Sequence, residues 1–205
     1  MLVLCAASVA AQENKCVVKL ADLPAAPELF GFRLGMTTEQ AKARVPQIKF
    51  GRVNAFGVSK TSINPDFDPA IDKLSLNGVR TVSLDFLDGQ LTSLWFGYDS
   101  TFKWSNAPDF VAGISESLHL PDAWQPWKIR GQQLRCANFQ LTVTMLGEGA
   151  SFHIIDQTAE QTITARRQAK EEEDSAAAED GPKDQVQSPK SNVQSPKAKP
   201  SPTPP

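Results

Sequence analysis

Asn77-Gly78-Val79-Arg80-Thr81-Val82-Ser83-Leu84-Asp85-Phe86-Leu87-Asp88-Gly89-Gln90-Leu91-Thr92-Ser93-Leu94-Trp95-Phe96-Gly97-Tyr98 is the stretch whose reading decides the fold. Asn-Gly and Asp-Gly pairs accept the positive φ of a two-residue hairpin turn, so each marks a chain reversal. Between them Val82, Leu84 and Phe86 alternate with Ser83 and Asp85, the period of a strand with one buried face. With Asp88-Gly89 as the turn, Phe86 is expected opposite Leu91 and Val82 opposite Trp95. The reading is a three-stranded antiparallel meander from about Ile71 to Tyr98.

Working outward, two short helices flank this meander. Thr37 stands three residues before Gln40, a reciprocal capping box, with Met36 and Ala41 at the staple positions. Pro46 stops that helix at Val45. The second helix is expected over Ala107 to Leu118, capped by Asn106, with Pro108 in its first turn. Its buried stripe would be Phe110, Val111, Ile114 and Leu118. A second hairpin follows, Gln140 to Leu146 and Ala150 to Asp156, turning at Gly147-Glu148-Gly149. Val82 to Phe86 and Leu141 to Met145 occupy matching places in two helix-then-hairpin units. The fold class is therefore α+β: an antiparallel sheet of hairpins packed by two short helices, pseudo-duplicated.

The ends read differently. Residues 1–11, MLVLCAASVAA, are apolar and finish on small residues before Gln12, as the end of a signal peptide would. They are too few to span a bilayer. Residues 12–156 form the single domain, and 157–175 a polar helical extension beginning at Asp156 or Thr158. Residues 176–205 form a Pro/Lys/Ser-rich tail expected to be disordered. Past Pro182 its only apolar residues are Val186, Val193 and Ala198, too little to offset the entropy of ordering. Its repeated Val-Gln-Ser-Pro-Lys unit reads as a semi-extended spacer.

Of three cysteines, Cys5 falls in the leader and Cys16 and Cys136 remain. In an exported chain such a pair favours a disulfide; two free thiols are the alternative. Cys5 follows Leu4 and Cys16 follows Lys15, so neither has the small preceding residue that lipidation requires. The 21 basic and 23 acidic residues nearly cancel, which leaves no basic footprint for nucleic acid. A periplasmic or secreted location is expected, with no transmembrane span.

Gly31-Phe-Arg-Leu-Gly35-Met-Thr37 with Glu39-Gln40, followed by a hairpin at Asp88-Gly89, resembles the "LGMT" opening of small uncharacterised exported bacterial domains. The helix-then-hairpin layout is similar to the beta-lactamase inhibitor protein fold and to the SmpA/OmlA outer-membrane assembly lipoproteins. The resemblance covers roughly Pro27 to Asp156. The missing lipidation cysteine departs from the assembly lipoproteins. What the resemblance implies is an extracytoplasmic, non-enzymatic binding module.

The residues themselves offer little chemistry. Gly113-Ile-Ser115-Glu-Ser117 begins like a nucleophile elbow, but Ser117 stands where glycine is required and the segment lies in a helix. His119 ends that helix, where an imidazolium meets the helix dipole. His153 is expected on the outer side of a strand, and a hydrolase built on either histidine is the weakest reading. Asn64, Asp66, Asp68 and Asp72 alternate as calcium ligands do, yet Pro69 replaces the glycine of a calcium loop and ordinary turns explain the spacing. No zinc spacing and no cofactor motif occurs. The aromatic group Trp95, Phe96, Tyr98, Phe102, Trp104, Trp124 and Trp127 stands out. Either these rings fill the core, or Trp95, Trp104, Trp124 and Trp127 display a recognition surface on the open sheet face. Tyr98 and Trp104 flank a loop and are the first expected to be exposed. The leading expectation is a binding module for a protein, peptide or glycan. The alternative is an envelope structural or assembly factor with the tail as spacer.

Overall fold

The computed structural model describes residues 16–179 except 102, 105, 147 and 148. The leader at 1–11, the tail from 180 onward, Phe102 and the Gly147-Glu148 turn lie outside the described residues.

The Asp88-Gly89 hairpin forms as read. Asp88 and Gly89 take φ of 50° and 81°, the paired positive values of a type I′ turn, joining β2 (Val79–Leu87) to β3 (Gln90–Tyr98). Phe86 pairs with Leu91 as expected, but Val82 pairs with Phe96, and Trp95 faces Ser83. The cause is a register shift between Asp85 and Phe86 that makes Thr92 the extra residue, its hydroxyl donating to the Asp85 carbonyl at 3.2 Å. That single inserted residue puts Phe96 inside and Trp95 outside.

The meander's first strand is not the one expected. Residues 73–76 form a 3₁₀ turn, with the Asp72 carboxylate accepting from the Leu74 amide. Asn77, at φ −59° and ψ 130°, and Gly78, at φ 82°, then make an open corner into β2, not a hairpin. The third strand is instead β1 (Val58–Ile63), antiparallel to β2. Its inward residues include Ser59 and Thr61, so its apolar alternation is weak.

Helix α1 (Thr38–Arg44) carries the full capping box: Thr37 Oγ1 accepts from the Gln40 amide and Gln40 Oε1 from the Thr37 amide. Helix α2 (Ala107–Leu118) begins where Asn106 accepts from the Asp109 amide and ends at His119, φ 53°. Phe110, Ile114 and Leu118 are buried on it as expected, with Gly113 beside them. The second meander is β5 (Gly131–Arg135), β6 (Phe139–Leu146) and β7 (Gly149–Asp156), extended at the edge by β4 (Gln125–Trp127). All seven strands form one antiparallel sheet in the order β1-β2-β3-β7-β6-β5-β4. Two helix-plus-meander units thus meet through their last strands, β3 against β7, which gives the pseudo-duplication a structural form.

The main core lies on one side of this sheet. Val82, Leu84, Phe86, Leu94, Phe96, Leu141, Val143, Phe152 and Ile154 point there, under α1, α2 and the N-terminal arm. The arm supplies Leu29 and Phe32, and Phe32 packs 6.2 Å from Phe96 between ring centres. The Cys16 and Cys136 sulfurs lie 2.00 Å apart, at bonding distance, and pin the arm to the corner between β5 and β6.

Helix α3 (Gln157–Glu179) runs on past the expected end of the extension, so 176–179 are helical. Asp156 Oδ1 accepts from the Thr158 and Ala159 amides to start it. Ala159 and Ile163 then pack with Val58 and Leu87 in a small second core, on the opposite side of the sheet from the main one.

Candidate functional site

Apart from the corner under α3, the side of the sheet away from the core carries no covering element among the described residues. Its composition follows from the alternation: whatever is one step out of phase with the core residues faces outward. The pairing aligns these residues in three transverse rows. The first runs Lys60, Asp85, Ser93, Ile155, Gln140, Arg135. The second runs Ser62, Ser83, Trp95, His153, Thr142, Gln133, Gln125. The third runs Thr81, Gly97, Ser151, Thr144, Gly131, Trp127. Hydroxyls and amides make up most of the second row and half of the third, while the first carries the charged residues Lys60, Asp85 and Arg135.

The two glycines in the third row each leave room for a tryptophan. A Cβ at Gly97 would sit 2.5 Å from Trp95 Cη2 and 3.0 Å from Cζ3. The six-membered part of the Trp95 indole therefore rests on the bare backbone of Gly97, two residues along the same strand. A Cβ at Gly131 would likewise meet Trp127 Cε3 at 3.1 Å. Lys128 Nζ stands 4.2 Å from the centre of the Trp127 ring, a cation–π contact at the rim.

Of the four tryptophans expected on the open face, two are there. Trp104 packs instead on α2, where a Cβ at Gly113 would lie 2.2 Å from its Cζ2. Trp124 donates its Nε1–H to Ser115 Oγ at 2.8 Å and lines a separate hollow with Val111, Leu120 and Gln132. Tyr98, expected among the first exposed, is fully buried. It follows Phe96 on the core-facing phase of β3 and stacks on it at 5.8 Å, and its hydroxyl donates to the Glu28 carbonyl at 3.0 Å. Burial, together with the Glu28 charge, pushes the Tyr98 phenol well above its ordinary range. The same arm buries the Glu28 carboxylate, which Lys103 bonds at 2.8 Å.

Beside Trp95 the face dips into a trough of about 530 Å³, with Lys60, Ser83, Asp85, Ser93 and His153 in its lining. Lys60 and Asp85 form an ion pair across β1 and β2. Ser93 Oγ and His153 Nε2 are 2.9 Å apart. Burial holds the His153 imidazole below its ordinary 6.5, with nearby Asp85 opposing the shift, so the ring is neutral at pH 7. A hydroxyl 2.9 Å from a neutral imidazole has the spacing of a nucleophile and base. Ser93, however, sits in the middle of β3, between β2 and β7, where the surrounding backbone amides belong to the two ladders. An acyl-transfer site needs amides aimed at a developing oxyanion; Ser93 and Leu94 are paired on both sides, and the bulge residue Thr92 directs its hydroxyl to the Asp85 carbonyl.

The remaining candidates resolve into structural roles. His119 is the exposed C-cap that follows α2, in left-handed conformation. Asn64 Oδ1 accepts from Thr81 at 2.8 Å, Asp66 pairs with Lys73 at 3.2 Å, and Asp68 caps the Ala70 amide at 3.0 Å. Asp72 caps the Leu74 amide, so Asp68 and Asp72 serve turns while Asn64 and Asp66 bond Thr81 and Lys73. Among the described residues no group of three His, Cys, Asp or Glu side chains is placed to hold a metal.

The residues that reading the sequence missed are the small ones. Ser83, Ser93 and Gly97 look like ordinary strand filler, and Lys60 lies in a strand whose pattern is too polar to find. Comparison with protein-family models, curated proteins and solved structures found no match to this chain.

Proposed function

We propose that this chain is an exported, non-enzymatic binding module that takes its ligand on the outer face of its sheet. The observation that carries the reading is the uncovered face itself, with the Trp95 ring against Gly97, Trp127 beside Gly131 and a trough beside the first. An antiparallel sheet in a single domain commonly packs one face and solvates the other with polar residues. Here the solvated face also presents two large aromatic rings among hydroxyl and amide groups, and aromatic rings carry much of the energy at binding sites.

Export is part of the same proposal. It is supported by the leader-like residues 1–11 and by the Cys16–Cys136 pair at bonding distance. No helix among the described residues is long and apolar enough to cross a membrane. The two helix-plus-meander units also fit the layout of the exported "LGMT" domains, to which we extend the resemblance.

The test is retention. Immobilised full-length protein, exposed to an envelope extract of its native host, is expected to retain material by biolayer interferometry. Ser83→Arg and Trp95→Ala should lose most of that response, and Glu116→Arg, on α2 away from this face, should keep it. Equal retention by all four proteins would remove the outer face as the site.

A further inference from the structure

Resting on the outer face as the binding surface, we infer that its ligand is a neutral oligosaccharide, with one pyranose ring stacked on Trp95 and its hydroxyls bonded by Asp85, Lys60 and Ser83.

Three observations lead there. The first is the aromatic rings. The six-membered part of the Trp95 indole packs against Gly97 and the half-buried ring lines the trough, where an indole offers an electron-rich face. The axial C–H groups of a pyranose are weakly positive and planar in outline, and they match such a face. Trp127 adds a second ring beside Gly131, with Lys128 Nζ 4.2 Å from its centre. In the third row Gly97 and Gly131 are separated by β7 and β6, so the two glycines beside these rings lie about 14 Å apart at the usual strand spacing. That separation suits a chain of several sugar rings crossing the strands.

The second observation is what lies between and beside the rings. Ser151, Thr144, Thr142 and Gln133 fill the floor, and each combines donor and acceptor capacity. A protein partner would favour a desolvated apolar centre, from which serine is depleted. An extended peptide would add to a sheet edge, not lie across its face. A polyhydroxylated ligand alone uses both the flat rings and the hydroxyl floor.

The third is charge. The charged side chains at the trough, Lys60 and Asp85, are paired with each other. A carboxylate held in place by an ammonium is a bidentate acceptor for adjacent sugar hydroxyls, and the pair leaves the trough without net charge. It complements an uncharged glycan and offers a polyanionic one little.

The full-length protein is titrated by calorimetry with maltohexaose, cellohexaose and chitohexaose, and with heparin as the polyanionic comparison. Saturable binding of at least one neutral hexasaccharide is expected, weakened about tenfold or more by Trp95→Ala and by Asp85→Asn. Trp124→Phe, in the hollow beside α2, should bind as wild type does. Ser83→Arg, at an outer position that tolerates bulk, repeats the test should Trp95→Ala fail to fold. Absence of heat with all three neutral sugars, equal binding by the Trp95 and Ser83 variants, or preference for heparin would each overturn the inference. Periodate treatment of the host extract separates this from the broader reading. If retention survives oxidation of sugars yet still depends on Trp95, the face binds something other than a glycan and only the oligosaccharide is lost.

Discussion

At the scale of single residues, Gly97 and His153 do the most for the outer face. The contact that Gly97 permits is with the far end of a movable side chain, so alanine there should displace the Trp95 ring, not the backbone. The added Cβ also removes the entropy cost of a strand glycine, so stability should change by less than about 1 kcal/mol. Gly97→Ala is therefore expected to leave the melting temperature nearly unchanged, to alter the near-ultraviolet dichroism of Trp95, and to weaken ligand retention. Unfolding at a much lower temperature would show that the glycine serves the backbone. His153 gives the pH dependence. Its folded pKa is depressed by burial, against the opposing charge of Asp85, whose own partner is Lys60. A depressed value means the unfolded chain takes up the proton first. The stability this residue contributes is complete above 6.5 and is lost as the pH falls from there through the lowered folded value. Urea midpoints should decline over that window in the wild type and decline less in His153→Gln, whose amide can bond but not titrate. Parallel declines would assign the effect to other groups. Glu28 acts in the same direction at lower pH: burial raises its carboxyl, but the Lys103 hydrogen bond and further backbone and Ser117 bonds hold it below 4.5.

At the scale of elements, α3 shows how a polar helix is anchored by very little. Ala159 and Ile163 meet Val58, Leu87 and Phe56, and Arg166 then reaches Asp88 with both guanidinium nitrogens at 2.9 and 2.6 Å. The Arg166–Asp88 pair is exposed and mainly orients the helix. Ile163 supplies the packing, so Ile163→Ala should cost about 2 kcal/mol and speed amide exchange in the first two turns of α3. A cost near zero would mean that this helix does not belong to the domain's cooperative unit. The spacing of Ala159, Ile163 and Arg166 along one helical face was present in the sequence, though the charged run after it read as an extension leaving the surface. What could be read directly was whatever a few neighbouring residues decide: the Thr37–Gln40 capping box, the Asn106 cap, the Asp88-Gly89 turn and the alternation in β2, β3, β6 and β7. What escaped depends on distant partners. Val58 to Ile63, Gln125 to Trp127 and Gly131 to Arg135 become strands because an edge is waiting for them, and their own residues barely alternate. Asn77-Gly78 had hairpin chemistry but no strand before it. The bulge at Thr92 left no local mark either, and it alone decides that Trp95 faces the trough while Tyr98 enters the core. The candidate site was thus legible as a set of aromatic residues and illegible as a surface.

At the scale of the whole molecule, the sheet is two meanders sewn together by one strand pair, β3 with β7, and the arm crosses from one half to the other. Leu29 and Phe32 of the arm cover Phe96 in the first half, while its start is tied to the second half by the Leu20 amide on Asn138 at 2.9 Å and the Ala137 amide on Val18 at 3.2 Å. The Cys16–Cys136 link closes a loop spanning 120 residues of sequence, nearly the whole domain. Cross-linking so distant a pair restricts the unfolded chain strongly, by about 5 kcal/mol on the chain-entropy account and commonly by 2–4 kcal/mol in practice. Because the arm also buries Glu28 and closes over Tyr98, losing the link should loosen the core side first and leave the outer face formed. The Cys16→Ala/Cys136→Ala double variant should therefore unfold at a urea concentration lower by an amount worth about 2–4 kcal/mol. Faster exchange is expected at the Tyr98 end of β3, with ligand retention intact in the absence of denaturant. If the variant is as stable as the wild type, the hydrogen bonds and the Leu29 and Phe32 packing hold the arm by themselves. If instead it loses retention while remaining folded, the two sides of the sheet are coupled, and the arm acts on the binding face through the strands that separate them.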